Sequence, residues 1–148
     1  MAANVNPIFG LTPVLGQVVI GAQNTKSDGT GIIATDLWKG FTAGVDGAYI
    51  SKIRIQPTAA VAATALAATV IRVFLSTVGT GVTTVLDTSL LQEITAAAQT
   101  AASASAATFF HEIVLGFAIP ANSTILFSTH IANNANTAWK ATVFGASY

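Results

Sequence analysis

The sequence predicts an all-β fold: a single β-sandwich, jelly-roll-like, of about eight antiparallel strands with two Ala-rich loops or arms. Three observations carry that expectation. Apolar and polar residues alternate with a period of two in several segments of strand length. Gly, Asn, Asp and Pro punctuate the chain between those segments. No long amphipathic helix alternates with the strands, as a βαβ fold would require. The 148 residues suit one domain, 1–148, with enough apolar side chains for a core. Residues 1–16 can extend from it as an N-terminal arm.

Taken in order, 17–22 and 36–41 are the weaker strand candidates. The loop 24–31 lies between them and contains an Asp28-Gly29 step; 43–47 is a second turn, ending in Asp46-Gly47. In 49–56, Tyr49, Ser51, Ile53 and Ile55 share one face, and Ile50, Lys52, Arg54 and Gln56 the other. The run 70–75 is rich in β-branched residues and reads as a strong strand. Gly79-Thr80-Gly81 breaks the chain after it. The segment 85–94 fits a strand or a short helix. In 108–117, Phe109, His111, Ile113 and Leu115 alternate with Phe110, Glu112, Val114 and Gly116. A tight connection at 120–123 precedes a strand over 124–131. After the Asn-rich turn 133–136 comes a last strand over 139–144.

Two alanine-rich stretches, 58–69 and 95–108, interrupt the pattern. Alanine is the best helix former, so short helices fit them. Neither has an apolar stripe opposite a charged face. They also fit long loops, or arms that order against a neighbour.

Composition narrows the function. Only 8% of the residues are charged, six basic and six acidic; an ordinary soluble domain carries about 25%. A folded chain of 15.0 kDa exposes roughly 7,000 Å². Uncharged side chains must cover most of that surface, and apolar patches of that kind mark contact sites. An assembling, structural subunit is therefore expected, not an enzyme. The formal net charge is zero and the six basic residues are scattered, which excludes phosphate neutralisation as a binding mode, so no nucleic-acid partner is expected. Cysteine is absent, so there is no disulfide framework and no thiolate metal site. The first residues lack a charged and then apolar leader. The uncharged runs 55–71 and 94–110 are too small and too polar to span a bilayer, so no membrane partner is expected either.

Little in the chain carries chemistry. His111 and Glu112 are neighbours on one strand and face opposite ways, so they form no dyad. His130 could meet His111 across a sheet, which would supply two ligands where a catalytic zinc wants three. Asp28-Gly29 and Asp46-Gly47 fit turns better than a calcium site, which needs six to eight oxygens. There is no nucleophile elbow and no phosphate loop. No cofactor and no metal are expected. Lys52, Arg54 and Arg72 lie on strands, where they either line a solvated face or orient an acidic partner. Trp38, Lys39 and Phe41 form a Gly-bounded segment that suits an interface rim or the core.

The succession of motifs resembles a family. An Asn-Pro start leads to 17–20, Gln-Val-Val-Ile, then to the loop 24–31. Phe41-Thr42-Ala43-Gly44 and the run 47–55 follow, then Ile71-Arg72-Val73-Phe74-Leu75. Ile119-Pro120-Ala121-Asn122-Ser123 and Ser128-Thr129-His130 come late. This order resembles the small virion proteins of tailed bacteriophages, notably head decoration or cement proteins. The resemblance implies a β-sandwich, a homotrimer, the major capsid protein as partner and a place on the capsid surface after synthesis in the host cytoplasm. It implies no catalytic residue. A tail or fibre component with a receptor- or glycan-binding sandwich, and a small coat protein, are the alternatives.

Overall fold

The computed structural model describes residues 12–21, 23–59, 65–100 and 110–148. Twelve strands follow one another: β1 (Thr12–Ile20), β2 (Gly31–Ile32), β3 (Trp38–Thr42), β4 (Ala48–Ala59), β5 (Ala65–Leu66), β6 (Thr69–Ser76), β7 (Val82–Thr83), β8 (Thr88–Ala96), β9 (Gln99–Thr100), β10 (His111–Ile119), β11 (Thr124–Thr129) and β12 (Thr137–Ser147). None of the described residues is helical. The fold is all-β. One antiparallel sheet has the order β1-β12-β4-β10, and a second has the order β3-β11-β6-β8. The short strands pair separately, β2 with β7 and β5 with β9.

The two sheets face each other across one core. Ile20, Ile53, Ile55, Trp139 and Val143 enter it from the first sheet; Ile71, Val73, Ile125 and Phe127 enter from the second. Each large side chain so buried contributes about 1.5–3 kcal/mol. β1 crosses β3 at one side of the sandwich, where a Cβ on Gly16 would overlap the Gly40 carbonyl oxygen. Only glycine permits that approach.

The alternation in 49–56 is reversed in its first half. Ile50 is fully buried, with Ile53 and Ile55, while Tyr49 is exposed. The cause is a β-bulge at Ser51. On one side β12 steps from Phe144 to Gly145 while β4 steps from Lys52 to Ile50. On the other side the register with β10 shifts between Val114 and Phe117. The Ser51 hydroxyl donates to the Phe144 carbonyl at 3.0 Å. Gly116 takes up the mismatch with a φ of +66°. One extra residue exchanges the two faces of a strand.

Other boundaries also move. Residues 12–16 of the expected arm are the first half of β1, paired with 143–147; the rest of that arm lies outside the described residues. The segment 85–94 resolves into a turn and a strand. Asp87 Oδ2 accepts from Thr84 N at 3.0 Å and Thr84 Oγ1 at 2.7 Å, and β8 begins at Thr88. The described parts of the alanine-rich stretches are extended and pair with each other, Ala65 with Thr100 and Leu66 with Gln99. Leu66 and Ala96 are buried in the core, which offsets the helix preference of their neighbours. Residues 60–64 and 101–109, including Phe109, lie outside the described residues.

The outer faces of the two sheets differ. Every residue of β11 is buried. Ile125 and Phe127 point to the main core, whereas Leu126 points outward and packs with Phe74, Leu37 and Ile33. The chain from 24 to 37 and the β2–β7 pair close over that outward cluster. Thr83 Oγ1 ties the two parts of this cover together, donating to the Gly29 carbonyl at 2.6 Å and to that of Gly31 at 3.1 Å. Thr88 Oγ1 of β8 donates to the Asp28 carbonyl at 3.0 Å. Among the described residues no such layer covers the first sheet.

Candidate functional site

The uncovered outer face of the first sheet holds the most distinctive surface chemistry. Register fixes its layout, because residues paired directly across antiparallel strands share a face. One transverse row is Leu15, Phe144, Lys52 and Val114. The next is Gln17, Thr142, Arg54 and Glu112. A third is Pro13, Ala146, Tyr49 and Ala118. Leu15 is 59% exposed and Val114 79%. Apolar side chains thus flank a small charged cluster.

The cluster is tightly tied. Glu112 Oε1 accepts from Lys52 Nζ at 3.0 Å and from Arg54 Nη2 at 2.6 Å. The Arg54 guanidinium lies over the Phe110 ring, 4.7 Å from its centroid, and Lys52 Nζ lies 5.4 Å from that of Phe144. These hydrogen bonds, from Arg54 first and then Lys52, hold the Glu112 carboxyl below its ordinary value. Two cations meet one carboxylate, so the cluster keeps one positive charge that the carboxylate does not neutralise. Aromatic faces lie against both cations and limit where they can point.

Of the predicted contact residues, the structure brings Lys52 and Arg54 together on this face. Arg72 lies elsewhere and inside. Only 6% exposed, it donates from Nε to Glu93 Oε1 at 2.7 Å and from Nη1 to the Asn24 and Lys26 carbonyls at 3.3 and 3.4 Å. It pins the covering loop to the second sheet and is corrected from a contact residue to an internal tie. Its β-branched neighbours place it on an outward face, but the returning loop buries that face. Trp38 and Phe41 sit half-buried on edge strand β3 and pack against the main core. Lys39 is exposed and donates to the Gly79 carbonyl at 3.3 Å.

His111 and His130 do not meet across a sheet. His111 is on β10 in the first sheet, and His130 follows β11 in the second. His130 N donates to the Val70 carbonyl at 2.8 Å, and its Nδ1 lies 3.4 Å from Arg72 Nη1 and Nη2. Among the described residues no three His, Asp or Glu side chains gather as metal ligands would. The two Asp-Gly steps form turns. Asp28 Oδ1 accepts from Thr30 N at 2.9 Å and Thr30 Oγ1 at 2.8 Å, bonds that hold its carboxyl below the usual range. Gly29 and Gly47 carry the positive φ that each turn needs.

Sequence reasoning missed Glu112 as the partner of Lys52 and Arg54. The only available signal was the shared spacing of two: Lys52 and Arg54 on one strand, Glu112 and Val114 on another. Comparison of the chain with known protein families, with curated proteins and with solved structures finds no match.

Proposed function

We propose that this chain is a non-enzymatic structural component of a tailed-phage virion, a capsid decoration or cement protein. It would act by docking its uncovered sheet on neighbouring subunits of the major capsid protein. The observation that carries the reading is that face itself: exposed Leu15, Val114 and Tyr49 around two cations held on aromatic rings. Apolar area supplies affinity there, and the charges set register. Each 1,000 Å² of apolar surface covered is worth about 25 kcal/mol gross. Ordering and docking costs cancel much of it. Repetition over a shell still raises the force needed to burst it.

The strand order supports the reading by analogy. Among the eight long strands the pairing joins first with eighth, second with seventh, third with sixth and fourth with fifth. We read that order as a jelly-roll wrap, an architecture of viral capsid and lectin domains. A homotrimer on the outside of the head is the assembly we propose.

The test is to image tagged protein on intact particles and to heat particles with and without it. Density on the head, with genome release at a higher temperature when the protein is present, is expected. Density confined to the tail, or equal release temperatures, overturns the cement role. Glycan binding by the isolated chain would point to a fibre module instead, and dominance of the virion protein by this chain to a coat protein.

A further inference from the structure

The covering layer on the opposite side of the sandwich has a complementary surface. Ile32 pairs with Val82 across β2 and β7, and their side chains are 47% and 65% exposed. Val85 and Leu86, in the following turn, are 58% and 92% exposed. Asp28, Asp36 and Asp87 stand around this apolar patch. Asp36 and Asp87 accept only uncharged donors, from Ile32 N and from Thr84. Among the described residues none of the three forms an ion pair.

The twelve charges are thus segregated. The uncovered sheet has Lys52, Arg54 and Lys140 against Glu112, three basic to one acidic. The covering layer has Asp28, Asp36 and Asp87 against Lys26, three acidic to one basic. Of the other four, Lys39 donates to the Gly79 carbonyl, Asp46 lies in the 43–47 turn, and Arg72 and Glu93 pair with each other. A molecule with zero net charge presents an apolar, positive side and an apolar, negative side. The second sheet and the main core lie between them.

We infer that the occupant of the uncovered sheet is a second copy of this chain, docking through its acidic cover layer. Pairing two uncovered sheets face to face would set positive against positive, and pairing two covers would set negative against negative. Head-to-tail contact alone satisfies both charge and apolar burial. Such a contact is heterologous: each docked pair still has one free face and one free cover. Growth therefore continues past the dimer, into a ring where the rotation closes and a stack where it does not. The inference goes beyond the virion reading and competes with it for this face. In a stack only the terminal sheet stays free for the capsid contact, and a closed ring leaves none, so mass in solution and density on the head test the two separately.

The test uses the full chain in solution. Wild type should gain mass with concentration in sedimentation velocity. Raising salt from low to well above physiological should weaken association by about tenfold or more, because the opposed faces carry net charge. Val114→Asp blocks the face, and the double variant Val82→Thr, Leu86→Asn blocks the cover. Each alone should remain monomeric, with the circular dichroism and melting of wild type, since all three side chains are exposed. Mixed in equal amounts, they should form heterodimers that grow no further. Wild type that stays at one mass throughout overturns the inference. So does a cover variant that still self-associates, which would mean the sheets pair face to face. Monomeric variants that fail to combine when mixed overturn it as well.

Discussion

The two outer faces of this sandwich begin from the same kind of sequence and end differently. On the second sheet, outward-pointing Phe74, Leu126 and Arg72 are buried, because the chain from 24 to 37 and the β2–β7 pair return over them. On the first sheet, outward-pointing Leu15, Tyr49 and Val114 stay in solvent. Alternation decides which way a side chain points. It does not decide whether anything of the same chain comes back to cover it. The covered face is a matter of stability, and the open one is the face we propose for association.

That contrast can be broken most decisively on the covered side. Phe74→Ala should destabilise the chain by about 3–5 kcal/mol in urea unfolding, because it empties a cluster with few residues to fill the gap. A loss below about 1 kcal/mol would mean that the cover is loosely held. Arg72→Met comes next. It leaves the Asn24 and Lys26 carbonyls without their donor and releases the half-exposed Glu93 carboxylate to water, at a cost of about 1–3 kcal/mol. Arg72→Lys should recover only part, since an ammonium cannot reproduce the planar fork. Hydrogen exchange at the amides of 24–31 should rise in both variants if the guanidinium holds that loop down.

On the open side the stability effects should be small. Val114→Ser should change unfolding free energy by no more than about 0.5 kcal/mol, as for exposed sites generally. A larger loss would show that the face is packed by its own chain after all. The smallest effect belongs to Glu112→Gln, and it should depend on pH. The folded chain holds this carboxyl below its ordinary value of 4.5. The unfolded state therefore takes up the proton first as pH falls. The contribution is whole above 4.5 and is lost as pH drops through the lower folded value. Wild type and Glu112→Gln should differ slightly near neutrality, less in high salt, and become equal in strong acid. A difference that persists in acid would assign the effect to packing against Lys52 and Arg54, not to charge.

Much of the fold was legible along the chain. The β-branched run 70–75 became the centre of β6, and the final run 139–144 lies inside β12. Gly29 and Gly47 sit in turns where the Asp-Gly steps put them. Positions were less legible where a strand is interrupted: the bulge at Ser51 sent Ile50 inward against the simple alternation. The alanine-rich stretches hid strand pairing because alanine has little β preference of its own; partners 35 residues away, as Ala65 is from Thr100, supply it. Of the charged cluster, Lys52 and Arg54 could be read but not Glu112.

The sequence alone determined that this chain is built of strands, roughly where they run, and that its surface is nearly bare of charge. Those are consequences of side-chain type and local spacing. Only the tertiary structure decided that Lys52 and Arg54 share Glu112, 60 and 58 residues away, while Arg72 turns inward. Register between distant strands is set by the packing of the whole core, and one bulged residue shifts it, so no local pattern encodes which charges meet or which face is left open.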